Sequence, residues 1–555
     1  MKRPGAAAVA IRPAATLILL RDTAEGPELF MQRRAPGAAF LGGAYVFPGG
    51  ALDAADAEAR SLERIVGLTE AQANARLALQ AGALAYWVAA ARECFEEAGI
   101  LLAQDESGGP AAPERIAALA AHREALNRGE LTFAELLARH RLVLAAHEIL
   151  YYDHWITPPI RPRRFDTRFF IARAPRAQEG SHDNAEAVNS VWLRPAEALA
   201  RAGRKEIEIA FATGIVLNQL ARFATAQEAL AHTLAQGPIE AKRAAVAQGR
   251  EGQRVFRPGD VPHAEIRWSD PDETTQTTYD LVPGVAKPLD RLVTRIIAPN
   301  PGVMTGAGTN TYLVGEDELA VIDPGPLVDS HVAAVLACGG GRIRWILCTH
   351  THRDHSPAAK ALQAATGARL IGYPAPAAAS QDDSFAPDWL PVHDECLRIA
   401  GVTLRALHTP GHASNHLCYL LEDTKMLFTG DHLMQGSTVI INPPDGDMRA
   451  YMHSLAALLA RDMVIVAPGH GYLIGKPHDE IRRLVRHRMW REARVVEALG
   501  SNDGATCDAL LPAAYADVPA GLHPAAARSL LAHLQKLVAE GGVIESGGRY
   551  FRKSP

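Results

Sequence analysis

Three apolar runs in the second half of this chain each end beside a residue type that binds metal. They are IRWILCTH (343–350), MLFTGDH (426–432) and MVIVAPGH (463–470). Runs of this length and composition read as buried strands. Loops that follow buried strands are where α/β folds place their chemistry. The first run continues into HTHRDH, which puts His350, His352, Asp354 and His355 within six positions. Neutral imidazole suits zinc, and carboxylates complete or bridge such sites. One tetrahedral ion does not take four ligands from a single short loop, so others must come from elsewhere. His412 in TPGHAS, Asp431 in TGDH and His470 in APGHG are the candidates. Seven ligands with one shared carboxylate make two adjacent metal sites with open positions. Such a pair generates hydroxide at neutral pH and polarises a carbonyl or phosphoryl oxygen. His408, His416 and His432 lie close by and read as structural, with a role in holding a ligand imidazole open to one of them.

A second constellation lies far upstream. RECFEEAGI (92–100) sets Glu93, Glu96 and Glu97 on one helical face. Like charges at that spacing repel, and a divalent cation removes the repulsion. Carboxylate oxygens fit Mg²⁺ or Mn²⁺, ions that also take substrate phosphates. The alternative for a bare ExxEE is a solvated acidic face.

The 555 residues suggest about three domains. A net charge of −5 excludes a chain that is a polycation throughout, although a local basic face remains open. The six cysteines are scattered without a CxxC pair, which points to a reduced, cytoplasmic setting. Arg12 and Pro13 interrupt the N-terminal apolar run, and no stretch reaches the ~20 apolar residues of a membrane helix.

Coarse patterning divides the chain into 1–235, a polar extension and linker over 236–287, then 288–480 and 481–555. The tail holds a helix with Leu530, Leu534, Leu537 and Val538 at helical spacing. A hairpin with a Gly-Gly turn follows, so the tail reads as a small winged helix. Arg482, Arg483, Arg486, Arg488, Arg491 and Arg494 make the helix ahead of it basic. That helix either approaches RNA phosphates or pairs its arginines with acids.

Residues 288–480 resemble the metallo-β-lactamase fold through the HxHxDH motif and the later His412, Asp431 and His470. The resemblance implies one zinc on His350, His352 and His412 and a second on Asp354, His355 and His470. It implies that Asp431 bridges them and that Asp354 also orients or deprotonates the attacking water. GSTVIINPPDGDM (436–448) and the tail are similar to the lactamase-beta-like protein 2 group, which includes endoribonucleases. Residues 12–230 resemble a Nudix hydrolase of the coenzyme A diphosphatase-like branch. That likeness rests on Arg92, Glu93, Cys94, Glu96, Glu97, Gly99 and Ile100, preceded by GAYVFPGG and followed by RPRRFDTRFFIA. It implies Mg or Mn on Glu96 and Glu97, Glu93 as base or ligand, and Arg92 as the orienting residue. The family's leading glycine and glutamate slots hold Ala78 and Leu84 here. Glu186 reads as a surface acid or as a supplementary carboxylate.

The expected architecture is multidomain α/β and α+β: a Nudix α/β/α sandwich, a metallo-β-lactamase αβ/βα sandwich and a winged-helix tail. The expected function is a dinuclear zinc hydrolase of an ester, thioester or phosphodiester. A Nudix site for a nucleoside-diphosphate-linked small molecule such as (acyl-)CoA accompanies it. Two alternatives stand beside this: a zinc-dependent endoribonuclease with an RNA-binding tail, and a Nudix domain that binds nucleotide without catalysis and regulates.

Overall fold

The computed structural model describes residues 9–38, 41–109, 111–176, 178–183, 187–377, 381–500 and 504–553, so Glu186 lies outside them. The chain forms two compact units, Met1–Ala244 and Ala245–Pro555.

In the first unit a mixed sheet runs in the order 187–193, 26–34, 11–23, 164–173, 150–156, 242–243. Its central strand, Ile11–Thr23, alternates faces as strand geometry requires. Leu17 and Leu19 join one core with the helix Leu84–Ala98. Ile18 and Leu20 join the opposite core with the helices Pro195–Gly203, Phe211–Leu220 and Ala226–Ala235. Two helical layers around one sheet make the expected α/β/α sandwich. The helix Leu84–Ala98 is apolar almost all round, with Trp87, Ala90 and Phe95 buried. Glu70 caps its start by accepting from Gly82 N (2.6 Å) and Ala83 N (3.2 Å), and Gly99 ends it in the left-handed conformation (φ 68°).

In the second unit two six-stranded sheets contribute to one core. One sheet runs from 287–288 to 369–371 and the other from 395–399 to 474–475. Tyr312, Ile322 and Leu347 of the first meet Leu404, Tyr419 and Phe428 of the second. The helices Asp329–Gly339 and Ala359–Thr366 cover the outer face of the first sheet, and Met448–Leu458 covers that of the second. The result is the expected αβ/βα sandwich. The helices Cys507–Ala514 and His523–Ala539 and the hairpin Val543–Arg552 form the winged-helix tail.

Two segments differ from the sequence reading. The helix Pro477–Leu499 runs unbroken across the 480/481 boundary. Ile481 and Leu484 belong to the sandwich core while Val495 and Leu499 belong to the tail core, so one helix serves both. The segment 236–287, read as extension and linker, divides at Ala244 and is largely ordered. Lys242–Arg243 pairs with Trp155–Ile156 in the first unit. Ala245–Ala247 pairs with Arg254–Phe256, and with the helix His263–Ser269 it packs Ile266 and Tyr279 into a small core of the second unit. Among the described residues, no helix is long and apolar enough to cross a membrane.

Candidate metal centre

All seven histidines and aspartates singled out from sequence converge in the second unit. The strands Ile343–Leu347, Met426–Gly430 and Ile465–Pro468 deliver three of the loops, and the strand Val402–His408 precedes the fourth. Among the described residues, three groups of ligand atoms each lie within 4.8 Å of one another. They are His350, His352 and His412; His350, His355 and Asp431; and Asp354, His355 and His470. His352 Nδ1 lies 2.9 Å from His350 Nε2 and 3.0 Å from His412 Nε2. Asp431 Oδ2 is 3.6 Å from His412 Nε2, and its Oδ1 is 3.4 Å from His355 Nε2 and 3.3 Å from His470 Nε2. Asp354 Oδ2 is 3.6 Å from His355 Nε2 and 3.3 Å from His470 Nε2.

The outer nitrogens show how the rings are held. His355 Nδ1–H donates to Asp323 (3.0 Å), His412 Nδ1–H to Ile440 O (2.9 Å) and His470 Nδ1–H to Gly308 O (3.3 Å). Thr349 Oγ1 donates to Asp323 (2.9 Å) and so accepts from His350 Nδ1–H (3.0 Å). Each of these four rings therefore turns its Nε2 inward. His352 Nδ1 can share a proton with only one of its two inward neighbours, so lone pairs face each other across the other contact. His355 Nε2 and Asp431 Oδ1 are buried without a hydrogen-bond partner. Facing lone pairs and orphaned buried acceptors are what a cation between them relieves, so the donor set fits divalent metal.

Electrostatics agree. Burial, then the charge of neighbouring His412, pushes His352 down to about 3, and burial with neighbouring imidazoles holds His350 well below its ordinary value. For Asp431, burial alone would raise the pKa, but the charges of His470 and His355 outweigh it and hold it well below the usual carboxylate range. Burial would lower His355 and His470; the carboxylates facing them raise both. Gly469 is required at its place, because an added Cβ would lie 2.7 Å from His355 Cε1 and 2.8 Å from Asp431 Oδ1.

Asp323 was not singled out from sequence. It ends the buried strand Leu319–Ile322 and accepts from Thr349 N (2.7 Å), Thr349 Oγ1 and His355. The available signal was a lone carboxylate closing a wholly apolar strand. His416 Nδ1 bonds Thr409 Oγ1 (3.0 Å) and its ring stacks on His350 at 5.0 Å, which gives it a supporting place behind that ring. His432 is buried against Tyr451, and His408 bonds Ser414 O (3.0 Å).

The glutamates of the first unit are arranged differently. Arg92 sits between them, with Nη1 3.0 Å from Glu93 and 2.8 Å from Glu96, and a two-pronged contact to buried Asp56 (2.9 and 3.0 Å). Glu97 accepts from Gln32 Nε2 and from Gly49 N (2.9 Å). Gly50 admits Glu93, whose Oε1 would lie 2.4 Å from an added Cβ. The three carboxylates thus surround Arg92 and the glycine strand, and they form no close ligand group among the described residues. Burial would lower the Arg92 pKa, but its contacts with Asp56, Glu93 and Glu96 raise it well above normal. Burial raises Glu96. Leu84 is buried in the core, and Ala78 keeps a left-handed backbone (φ 52°). Asp56 and Gln32 escaped the sequence reading because their partners are distant in the chain.

The basic helix is largely committed within the protein. Arg482 pairs with Asp479 and Arg483 with Glu480. Arg488 donates to Val439 O, Arg491 to Asp517 and Ala514 O, and Arg494 to Ala513 O.

Sequence comparison names the classes that these sites define. The Metallo-beta-lactamase superfamily model matches residues 304–470, the NUDT19 Nudix domain model 6–214, and the Beta-lactamase associated winged helix domain model 506–552. The chain belongs to the metallo-β-lactamase superfamily and is a hydrolytic enzyme in which a Nudix domain and a winged helix flank that fold. It is similar to a Beta-lactamase-like protein 2 homolog of Caenorhabditis elegans, 30% identical over 47% of this chain and 89% of that protein. It is also similar to an Atrochrysone carboxyl ACP thioesterase of Aspergillus chevalieri, 34% identical over 42% and 73%. Among solved structures, a NUDIX hydrolase from Alicyclobacillus acidocaldarius is 29% identical, with a TM-score of 0.33, over 42% of this chain and all of that one.

Proposed function

We propose that the second unit hydrolyses a thioester carried on phosphopantetheine, as in an acyl-CoA, and that the first acts on the diphosphate of the same class of molecule. The observation that carries the first half is the inward convergence of His350, His352 and His412 beside Asp431, His355, His470 and Asp354. In this reading His350, His352 and His412 would hold one zinc, Asp354, His355 and His470 would hold a second, and Asp431 would be shared. Divalent metal held there supplies Lewis acidity and a nucleophile at neutral pH. Asp354, the most exposed acid of the cluster (29% of its side chain), takes the proton of the attacking water. Asp323 and the carbonyls of Gly308 and Ile440 keep the imidazoles in the tautomer that turns Nε2 inward. Water adds to the carbonyl carbon, the C–S bond breaks, and a carboxylic acid and a free thiol leave. The carrier-protein thioesterase among the relatives supports a phosphopantetheine substrate, because coenzyme A ends in the same thiol arm.

For the first unit, Glu96 and Glu97 would hold Mg or Mn, with Glu93 as base or ligand and Arg92 orienting them. A second reading has a specific observation in its favour. Arg92 already pairs with Glu93 and Glu96, and Leu84 fills the family's glutamate slot, which suits a domain that binds nucleotide and regulates. The endoribonuclease reading draws less support, since five of the six arginines named have partners within the protein. Six free cysteines support a reduced, cytoplasmic setting.

The test is to incubate the protein with an acyl-CoA, Zn²⁺ and Mg²⁺ and to identify the products by mass spectrometry. Free CoA with a carboxylic acid supports the thioesterase, and Asp431→Ala should abolish it. Acyl-phosphopantetheine with 3′,5′-ADP supports the diphosphatase, and Glu97→Gln should abolish it. If neither product forms, the proposal is overturned and attention turns to RNA.

A further inference from the structure

His470 lies on the turn Pro468–Leu473, and this turn is held by a buried charged cluster that reaches it from the segment ahead of the sandwich. Glu265, on the helix His263–Ser269, is fully buried. Its carboxylate accepts from Arg295 Nη1 (2.7 Å) and Nη2 (2.9 Å), from Lys287 Nζ (2.6 Å) and from Leu473 N (3.0 Å). Arg295 Nη1 also donates to Gly471 O (3.3 Å). Tyr472 OH donates to Tyr279 O (2.6 Å), a second link from the same segment. From the other side Asn310 Nδ2 donates to Pro468 O and Gly471 O (both 3.0 Å), and Tyr312 OH to Pro468 O (2.7 Å). The backbone groups on both sides of His470 are therefore fixed by side chains.

The cluster is costly as a mere stabiliser, because buried charges lose their hydration and apolar residues of similar volume often serve stability equally well. What an apolar core cannot supply is direction: hydrogen bonds to a particular carbonyl and a particular N–H set where the turn lies. We propose that Glu265 is a positioning residue for His470, acting through Arg295 and Leu473, and that the segment 245–287 is a working part of the metal centre. The proposal rests on the metal-binding reading of that centre. Of the two ligand groups in that reading, it concerns Asp354, His355 and His470 and leaves His350, His352 and His412 unaffected.

The experiment measures metal on the full chain by elemental analysis after dialysis against graded chelator, with Zn²⁺ as the only added metal. Glu265→Gln alone strands two buried cations, so the primary variant is Glu265→Gln with Lys287→Met, which leaves the cluster's net charge unchanged. Arg295→Lys is the second variant; it keeps the charge and shortens the reach to Gly471. If the first variant does not fold, the second carries the test. Leu397→Ala in the sheet core is the control, chosen for comparable thermal destabilisation. The expected result is that the variant holds one of two zinc ions at least tenfold more weakly while the other stays, in the pattern given by His470→Ala. The control keeps both. Zinc retention equal to wild type in a folded variant, or equal zinc loss in the control, overturns the inference and leaves the metal reading intact. If His470→Ala itself keeps both ions, the metal reading fails and the inference falls with it.

Discussion

Replacing Asp323 by Asn tests whether ring orientation governs the metal centre, because the change is nearly isosteric and reverses one hydrogen-bond polarity. One oxygen of Asp323 accepts from Thr349 N (2.7 Å); the other accepts from Thr349 Oγ1 (2.9 Å) and His355 Nδ1 (3.0 Å). An Asn amide pointed at Thr349 N sets two donors against each other. Pointed the other way, it faces His355 Nδ1–H. His355 then has to move its proton to Nε2, the nitrogen that turns toward Asp354 and Asp431. A hydrogen bond to a charged group is worth about 1.5–3 kcal/mol. Loss of such an outer partner typically weakens metal binding about 10–100-fold. At about 1.4 kcal/mol per decade these two figures describe the same effect. The assay is zinc titration against a chromophoric chelator, with circular dichroism to establish folding. The expected outcome is a folded variant with one zinc weakened by that factor and thioester hydrolysis reduced at least as much. A folded variant with both affinities unchanged would refute the tautomer argument.

Gly469→Ala places a methyl within 2.8 Å of Asp431 and 2.7 Å of His355; it should cut zinc-dependent turnover by about 100-fold or more while the far-ultraviolet spectrum is unchanged. Arg92→Met leaves Asp56 buried without its ion-pair partner, and breaking a buried pair costs about 3–5 kcal/mol, so thermal scanning should show a transition lowered on the order of 10 °C. His331, fully buried and bonded to Thr311 Oγ1 (2.9 Å), is pushed by burial down to about 4. Because the unfolded chain takes this proton first, the stability that comes from keeping the ring neutral is present above about pH 6.5 and is lost as pH falls toward 4. Denaturant titrations of wild type and His331→Gln should differ by a pH-dependent amount of about 3 kcal/mol across that window, and a constant difference would show that His331 does not titrate as inferred.

The candidate metal-binding residues were legible because they announce themselves twice, by residue type and by place. His350, Asp431 and His470 each follow a run that must be a buried strand, and a polar side chain at such an end has to be used or hidden. The residues that hold those side chains were not legible. Thr349 and Asp323 are common residue types, and only the pairing of Leu319–Ile322 with Ile343–Leu347 sets one beside the other. Backbone carbonyls such as those of Ile440 and Gly308 carry no residue signature at all. In the first unit the motif was legible and its state was not. Nothing within RECFEEAGI indicates that Arg92 turns to Asp56, 36 residues away, and draws Glu93 and Glu96 to itself.

The segment 236–287 and the basic helix show the same limit for charge. A polar stretch with Glu265 and Lys287 reads as solvated because isolated charges stay in water. It is buried here because the partners arrive from 22, 30 and 208 positions away, and no local pattern records such separations. Arg488 and Arg491 followed the same course, reading as a surface for phosphate or acid while their guanidinium groups close onto Val439 and Asp517. A charge whose partners are local is read correctly as surface, as Arg483 with Glu480 illustrates. A charge whose partners are remote becomes architecture, and its role follows from what its partners hold. By that criterion Glu265 matters chiefly for its place beside the turn that carries His470, and less for the stability its ion pairs contribute.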